Sequence, residues 1–313
     1  MNRITIILLV MMSVGCTTSN FKKIDHVYEP TDHPKHQLRK HTDLEYLSCN
    51  HRYFDLMSNY QLEGAKNYYV FSLMSSNIYR DTSSPYYVIP NWKLESRHQS
   101  DSGLVVDVYS YNFGEEYSVV YKGTDFSEGN DWATNFALVQ PNQYKEAFDH
   151  LNQFVNEHQD KKIYVTGHSL GGGIALNMAQ RIDGVTAVAF NSSPRAFFNT
   201  DENVKNKKVH LYEAGEILGP LNRTWLWLKT DNLEKYKYNY LDFLWWTFSP
   251  VQEHGMYLFS RGLLITAIQA GSEDALFTFT RNIERSSAEE TEWHVCESLY
   301  NKSMQPTAKA AAD

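Results

Sequence analysis

The segment KKIYVTGHSLGGG at residues 161–173 constrains the fold of this chain more than any other part of the sequence. A β-branched, apolar run leads into G-x-S-x-G, and apolar residues at helical spacing follow it. Gly167 and Gly171 flank Ser169, where the chain must turn sharply from strand to helix. A serine held at such a turn, a nucleophile elbow, is presented at the carboxyl end of a sheet. We therefore predict that Ser169 is a nucleophile; the alternative is a glycine-rich turn without chemistry.

Strand and helix patterns alternate along the chain on both sides of this turn. Apolar alternation predicts an antiparallel hairpin, 104–111 with 117–121, and later buried strands at 185–190 and 207–212. Helical spacing predicts helices at 64–79 and 144–158 and directly after the elbow. Together these patterns predict an α/β fold: a mostly parallel, doubly wound sheet with an early antiparallel hairpin. Catalytic loops are then expected at the carboxyl ends of the parallel strands.

The first residues read as a secretion signal. Arg3 precedes an apolar run, residues 4–14, that is too short to span a bilayer, and the run stops at Gly15-Cys16. This pattern resembles a bacterial lipobox, so we predict a signal peptide over 1–15 and a lipidated Cys16. The lipid would anchor the chain in the bacterial cell envelope, in the outer membrane because no aspartate follows the cysteine. An ordinary cleaved signal, giving a secreted or periplasmic protein, is the alternative.

The remaining chain is predicted to hold one large domain between two polar segments. With 313 residues the length suits one large α/β domain or two small ones. Residues 16–45 are polar and read as a tether, residues 46–300 as the domain, and residues 301–313 as a disordered tail.

Charge and histidine spacing exclude some partners. The net charge of −8, without a Lys/Arg cluster to reverse it, argues against binding to nucleic acid. Four histidines of the tether are irregularly spaced and have no cysteine or carboxylate frame, which argues against a metal site there: His26, His33, His36 and His41. Nothing in the sequence calls for a metal or a cofactor.

Three cysteines divide between anchor and domain. Cys16 is assigned to the lipid, which leaves Cys49 and Cys296 either as a disulfide in an oxidising compartment or as two free thiols.

A serine nucleophile needs a base, and the chain order on this kind of sheet is serine, acid, histidine. His254, in VQEHGMYLF just before a helical pattern, is the predicted base. His294 competes but stands beside Cys296 near the end of the chain, and His210 falls inside a predicted strand.

The acid is expected just beyond a strand end. Glu216, in the loop AGEILGPL after KKVHLY, meets this expectation, with Glu213 as the runner-up. Its role would be to orient the imidazole and balance its charge.

Two backbone N–H groups are predicted to form the oxyanion site. Leu170 follows the nucleophile at a helix N-terminus, and Thr124 follows Gly123 in YKGT at the end of a predicted strand.

The sequence combines three motifs: GHSLGG, an upstream YKGTD followed by DWATN, and Pro-Arg after the next strand. In these motifs it resembles the class 3 lipases, the fungal-type family of the α/β-hydrolase fold. The resemblance covers roughly residues 64–262. It implies that Thr124 is the oxyanion residue, that Asn135 supports its side chain, and that Trp132 lies in a lid segment. It further implies that the acid loop begins at Glu216, where the family more often has aspartate, and that His254-Gly255 holds the base. Some fungal members bridge their terminal segments, which favours pairing of Cys49 with Cys296.

The segment between the acid and the base is rich in tryptophan. Four of the seven tryptophans, predicted to belong to a helical insertion, lie there: Trp225, Trp227, Trp245 and Trp246. They are expected either to line an acyl pocket or interfacial surface or to pack a subdomain.

The sequence as a whole predicts a serine hydrolase of lipid carboxylic esters. Phospholipase A activity is an alternative, as are an idle hydrolase fold used for surface binding and a peptidase or thioesterase.

Overall fold

The computed structural model describes residues 21–24, 47–50, 52–80, 87–123, 141–194, 196, 200–201, 203–216, 218, 232–240, 255–282 and 287–305. The predicted signal peptide and the four tryptophans of the predicted helical insertion lie outside these residues, as do the following predicted site residues: Cys16, Thr124, Trp132, Asn135 and His254. The described residues 232–240 of that insertion hold a strand of the sheet, Leu233–Tyr238, and no helix.

The described strands form one eight-stranded sheet in sequential order, β1 to β8. Their bounds are β1 Phe21–Ile24, β2 Trp92–Ser100, β3 Val105–Tyr111, β4 Glu116–Tyr121, β5 Lys162–His168, β6 Val185–Phe190, β7 Lys208–Glu213 and β8 Leu233–Tyr238. Strands β1 to β4 are antiparallel to their neighbours, whereas β4 to β8 run parallel. The predicted α/β fold, a mostly parallel sheet with an antiparallel hairpin near its start, is confirmed.

Helices cover both faces of this sheet. Within the described residues they are α1 Asn59–Asn77, α2 Pro141–Glu157, α3 Leu170–Met178, α4 Met256–Gln269, α5 Glu273–Asn282 and α6 Ser287–Met304. Helices α2 and α3 pack on one face with strand residues such as Val119 and Ala187, and the other four pack on the opposite face with Val120 and Val188. The alternation of neighbouring strand residues between two cores is the pattern of a sheet buried on both sides.

The parallel strands end at one level, which creates the edge where a site is expected. His168 of β5 pairs with Phe190 of β6, and Phe190 pairs with Leu211 of β7. The residues that follow these strands therefore emerge side by side at the carboxyl edge of the sheet.

Helix α1 begins five residues before the predicted start at 64 because of its cap. The Ser58 side chain accepts a hydrogen bond from the Gln61 N–H, and the Gln61 side chain accepts one from the Ser58 N–H. This capping box satisfies two backbone donors that a helix N-terminus otherwise leaves unpaired.

Two segments lie inside the domain although the sequence predicts otherwise. The tether predicted at 16–45 includes strand β1, whose Phe21 ring packs against the imidazoles of His98 and His150, with ring centroids 6.5 Å and 4.9 Å away. The tail predicted to be disordered from residue 301 starts as helix, because α6 continues to Met304 with Leu299 and Tyr300 packed on the core.

A disulfide closes the described chain on itself. Cys49 and Cys296, 247 residues apart, are bonded with their Cα atoms 5.4 Å apart, and both are buried in the core between α1 and α4 to α6. Within the described part of the chain, no helix combines the length and apolar character needed to cross a bilayer.

Candidate active site

Ser169 lies between β5 and α3 in a backbone conformation that side chains rarely adopt, with φ +58° and ψ −122°. Its N–H donates to the Phe190 carbonyl at 3.0 Å, and its carbonyl accepts from the N–H groups of Gly173 at 3.0 Å and Ser193 at 2.8 Å. Such strain persists only where surrounding contacts over-determine it, and it is typical of functional sites. The predicted elbow is thus present in the fold, with Ser169 at the N-terminus of α3.

Glycine is required where strand and helix meet. A methyl group placed on Gly171 would lie 2.0 Å from the Tyr121 carbonyl oxygen of β4, a backbone atom that cannot rotate away. Because the helix approaches the sheet this closely, Ser169 is held directly above the strand ends.

The Ser169 hydroxyl is buried and, among the described residues, makes no hydrogen bond. Buried hydroxyls in proteins normally have a partner. The predicted partner, His254, lies outside the described residues.

Gly255, the residue after the predicted base, lies close to the nucleophile. Gly255 is the N-cap of α4, and Phe259 in its first turn packs edge-on against Phe190, with ring centroids 6.2 Å apart. The Phe190 carbonyl is the group that accepts the Ser169 N–H. The start of α4 is therefore at the nucleophile end of the sheet.

Both candidate acids are buried, Glu213 as the last residue of β7 and Glu216 three residues beyond it, and their surroundings differ. Glu213 uses Oε1 to accept the Tyr240 N–H at 2.7 Å, which ties it to the chain after β8. Glu216 accepts the Leu218 N–H on Oε2 at 2.8 Å, within its own loop. Each carboxylate thus has one oxygen bound by a backbone N–H, and both remain candidates for the acid.

The two competing histidines have other surroundings. Burial, with a smaller effect of the Lys235 charge, lowers the pKa of His210 to about 3, so this imidazole stays neutral and its Nε2 accepts the Ser192 N–H at 3.2 Å. His294 lies on α6 with its side chain 63% exposed and its Nδ1 3.7 Å from Glu297. The structure brings neither imidazole into hydrogen-bond contact with Ser169 within the described residues.

The oxyanion predictions fall partly within the described residues. Leu170 is the first residue of α3, so its N–H is one of those that a helix leaves without an intrahelical acceptor. Gly123, which precedes Thr124, is so close that a methyl group on it would lie 3.2 Å from the Ser169 Cβ. Thr124 itself, with Asn135 and Trp132, lies outside the described residues.

Two residues at this edge are not predicted from the sequence as parts of the site. Asn191, at φ +40°, accepts the Glu213 N–H on its side chain at 2.8 Å and so joins the ends of β6 and β7. Tyr79, just after α1, has its hydroxyl 2.9 Å from Nδ1 of His168. The only sequence signal for Asn191 is an asparagine directly after a buried strand, a type that tolerates positive φ. Tyr79 shows none, because it ends an apolar helical pattern.

Comparison with known proteins points to one class. Residues 72–212, less than half of the chain, match the phospholipase-like family described as the Tle-like phospholipase domain. No curated protein matches the sequence.

Solved fungal lipases are similar in structure at low identity. They include a lipase from Rhizopus microsporus var. chinensis, 16% identical over 51% of this chain and 69% of that one, TM-score 0.38. A triacylglycerol lipase from Penicillium expansum is 13% identical over 57% of this chain and 80% of that one, TM-score 0.42. The Rhizomucor miehei lipase in a propeptide complex is 15% identical over 54% and 66%, TM-score 0.38. Similarities this weak carry no information on activity.

In its matched domain, its mixed sheet and its strained serine, the chain is similar to lipase-like α/β-hydrolases.

Proposed function

We propose that this protein is a serine hydrolase that cleaves carboxylic esters of lipids through an acyl-enzyme on Ser169. The observation that carries the proposal is the elbow: a buried serine at φ +58°, fixed by three backbone hydrogen bonds, above the carboxyl edge of the sheet. The match of residues 72–212 to a phospholipase-like domain supports lipid as the substrate class.

The mechanism assigns one role to each predicted residue. The Ser169 hydroxyl attacks the ester carbonyl while His254 takes its proton, and His254 then protonates the leaving alcohol. Glu216 orients the imidazole, and the N–H groups of Thr124 and Leu170 donate to the oxyanion. Water, activated by the same histidine, then hydrolyses the acyl-enzyme.

The decisive test is removal of the Ser169 hydroxyl. Wild type should hydrolyse p-nitrophenyl butyrate and be labelled by a fluorophosphonate, and Ser169→Ala should lose labelling and at least about a thousandfold in kcat. Ser118→Ala is a matched control, because the Ser118 hydroxyl is also buried and makes no hydrogen bond among the described residues. A wild type without hydrolysis or labelling would show an idle fold, and a fully active Ser169→Ala would exclude the proposed nucleophile.

Phospholipase A activity is the second candidate, because the domain that residues 72–212 match is described as a phospholipase domain. Fatty-acid release from phospholipid vesicles should then exceed release from a triacylglycerol emulsion at equal ester concentration. The reverse order would identify a triacylglycerol lipase, and cleavage of thioesters or peptides alone would exclude both.

The proposal also places the enzyme at a membrane, through lipidation of Cys16 in a bacterial cell envelope. In a bacterial host, wild type should fractionate with membranes and Cys16→Ser should not. Equal fractionation of the two proteins would exclude the lipid anchor.

A further inference from the structure

The contacts of Tyr79 go beyond those of a packing residue. Its hydroxyl is 2.9 Å from Nδ1 of His168, the residue before the nucleophile. The same oxygen is 2.6 Å from the point where a side chain on Gly123 would begin, so it fills the space that this glycine leaves open. One hydroxyl thus contacts the ends of β4 and β5, and each end precedes a residue assigned to the chemistry.

A buried ion pair holds the backbone on both sides of Tyr79. Arg97 of β2 forms a two-point bridge to Asp107 of β3, Nε to Oδ1 at 2.6 Å and Nη2 to Oδ2 at 2.7 Å. The guanidinium also donates to the carbonyl of Arg80 at 2.5 Å and to that of Ile78 at 3.5 Å. A planar guanidinium can satisfy a carboxylate and two carbonyls at once because its five donors have a fixed geometry.

We infer that Tyr79 is a positioning residue for the reaction, with the Arg97–Asp107 pair as its support. The hydroxyl fixes the His168 ring and, through it, the peptide that leads into the strained Ser169. It also sets the spacing between Gly123 and the elbow, hence between the two predicted oxyanion donors. The inference rests on the proposed function of Ser169.

The chain offers a matched pair of tyrosine substitutions. Tyr238 is buried and donates its hydroxyl to the Gln61 carbonyl, also at 2.9 Å, at the opposite end of α1. Tyr79→Phe and Tyr238→Phe each delete one tyrosine hydroxyl hydrogen bond of 2.9 Å near an end of α1, but only Tyr79 contacts the elbow.

Activity should separate the two variants. With p-nitrophenyl butyrate, Tyr79→Phe should lower kcat by about fivefold to tenfold, the effect of one lost hydrogen bond, with KM within about twofold. Tyr238→Phe should keep the wild-type kcat even if its melting temperature falls as far as that of Tyr79→Phe. Equal kcat values for the two variants, with wild type active and labelled, would overturn the inference while leaving the proposed function intact.

A double-mutant cycle tests whether Tyr79 acts through His168. If it does, the loss of kcat in Tyr79→Phe combined with His168→Gln should be smaller than the product of the two single losses. Multiplied losses in the double variant would show that the two side chains act independently and would contradict the proposed route.

Discussion

Ser169 illustrates how much structure one strained residue requires. Its N–H reaches across to β6, and its carbonyl takes N–H groups from its own helix and from the chain after β6. Strain of this kind costs on the order of 1–3 kcal/mol and survives only inside a rigid frame. At the residue scale, therefore, activity should depend on neighbours that never touch the substrate.

Gly171→Ala tests that dependence. The added methyl would meet the Tyr121 carbonyl oxygen at 2.0 Å, so α3 or β4 must move. We expect about 1–3 kcal/mol of lost stability, measured by urea unfolding, and loss of esterase activity as the elbow shifts.

Gly184→Ala separates strain from displacement. Gly184 has a positive φ, +80°, which Gly171 does not have, and a methyl at Gly184 would meet nothing within 4 Å. It should cost about 1–2 kcal/mol through its φ alone and keep full activity. Full activity in Gly171→Ala would contradict the rigid-frame argument.

At the scale of elements, apolar alternation predicts the strands that have apolar runs and misses a strand that buries charged and polar residues. The hairpin of β3 and β4 and the strands β5 to β7 have apolar runs, and all fall within a few residues of their predicted bounds. Strand β2, WKLESRHQS, is not predicted, because its buried positions include Arg97 and Ser100 and a register shift between Leu94 and Ser96 interrupts its alternation. Burial of an ion pair leaves no hydrophobic pattern in the sequence.

Strand β1 and helix α2 meet in a contact that should respond to acid. His150 of α2 faces the Phe21 ring of β1 and His98 of β2. Burial first, and then the nearby His98, lowers the pKa of His150 from 6.5 to about 4, although Glu157 opposes the shift. Below pH 6.5 His150 is protonated in the unfolded chain but stays neutral in the folded one. The contribution of His150 to the free energy of unfolding is therefore fully present above pH 6.5 and is lost as the pH falls towards 4.

His150→Phe should remove part of this pH dependence. Between pH 7.5 and 4.5 we expect the variant to lose about 2–3 kcal/mol less stability than wild type, measured by urea unfolding. Parallel profiles for wild type and His150→Phe would show that His150 does not titrate on unfolding.

For the whole molecule, the Cys49–Cys296 bond determines how freely the unfolded chain can expand. It closes a loop of 247 residues between the segment before α1 and the last helix. In the chain-entropy account a native bridge of this kind stabilises a protein by about 2–5 kcal/mol.

Reduction of the Cys49–Cys296 disulfide should remove the stability that the bridge contributes. Dithiothreitol should lower the urea midpoint of wild type to that of a Cys49→Ser, Cys296→Ser variant and should not affect the variant. Identical midpoints of oxidised wild type and variant would exclude a stabilising bridge.

Only part of the candidate site can be predicted from the sequence, because several of its contacts join segments that are far apart along the chain. Ser169 and Leu170 are local to one motif, whereas the backbone N–H that binds Glu213 belongs to Tyr240, 27 residues further along the chain. Tyr79 and His168 are 89 residues apart, and nothing in either local pattern relates them. Contacts between distant segments have to be seen in the fold.

The direction of strand β1 has a consequence for how the protein would meet a bilayer. Phe21 pairs with Ser100, at the end of the sheet where β4 and β5 also finish, so the chain enters the domain at the same edge as the nucleophile, with three strands between β1 and β5. If Cys16 carries a lipid as predicted, the linker from Cys16 to Phe21 spans five residues and extends to at most about 18 Å. A linker this short would keep the carboxyl edge of the sheet, where Ser169 lies, close to the membrane that holds the lipid. The same linker would prevent Ser169 from reaching an opposing membrane.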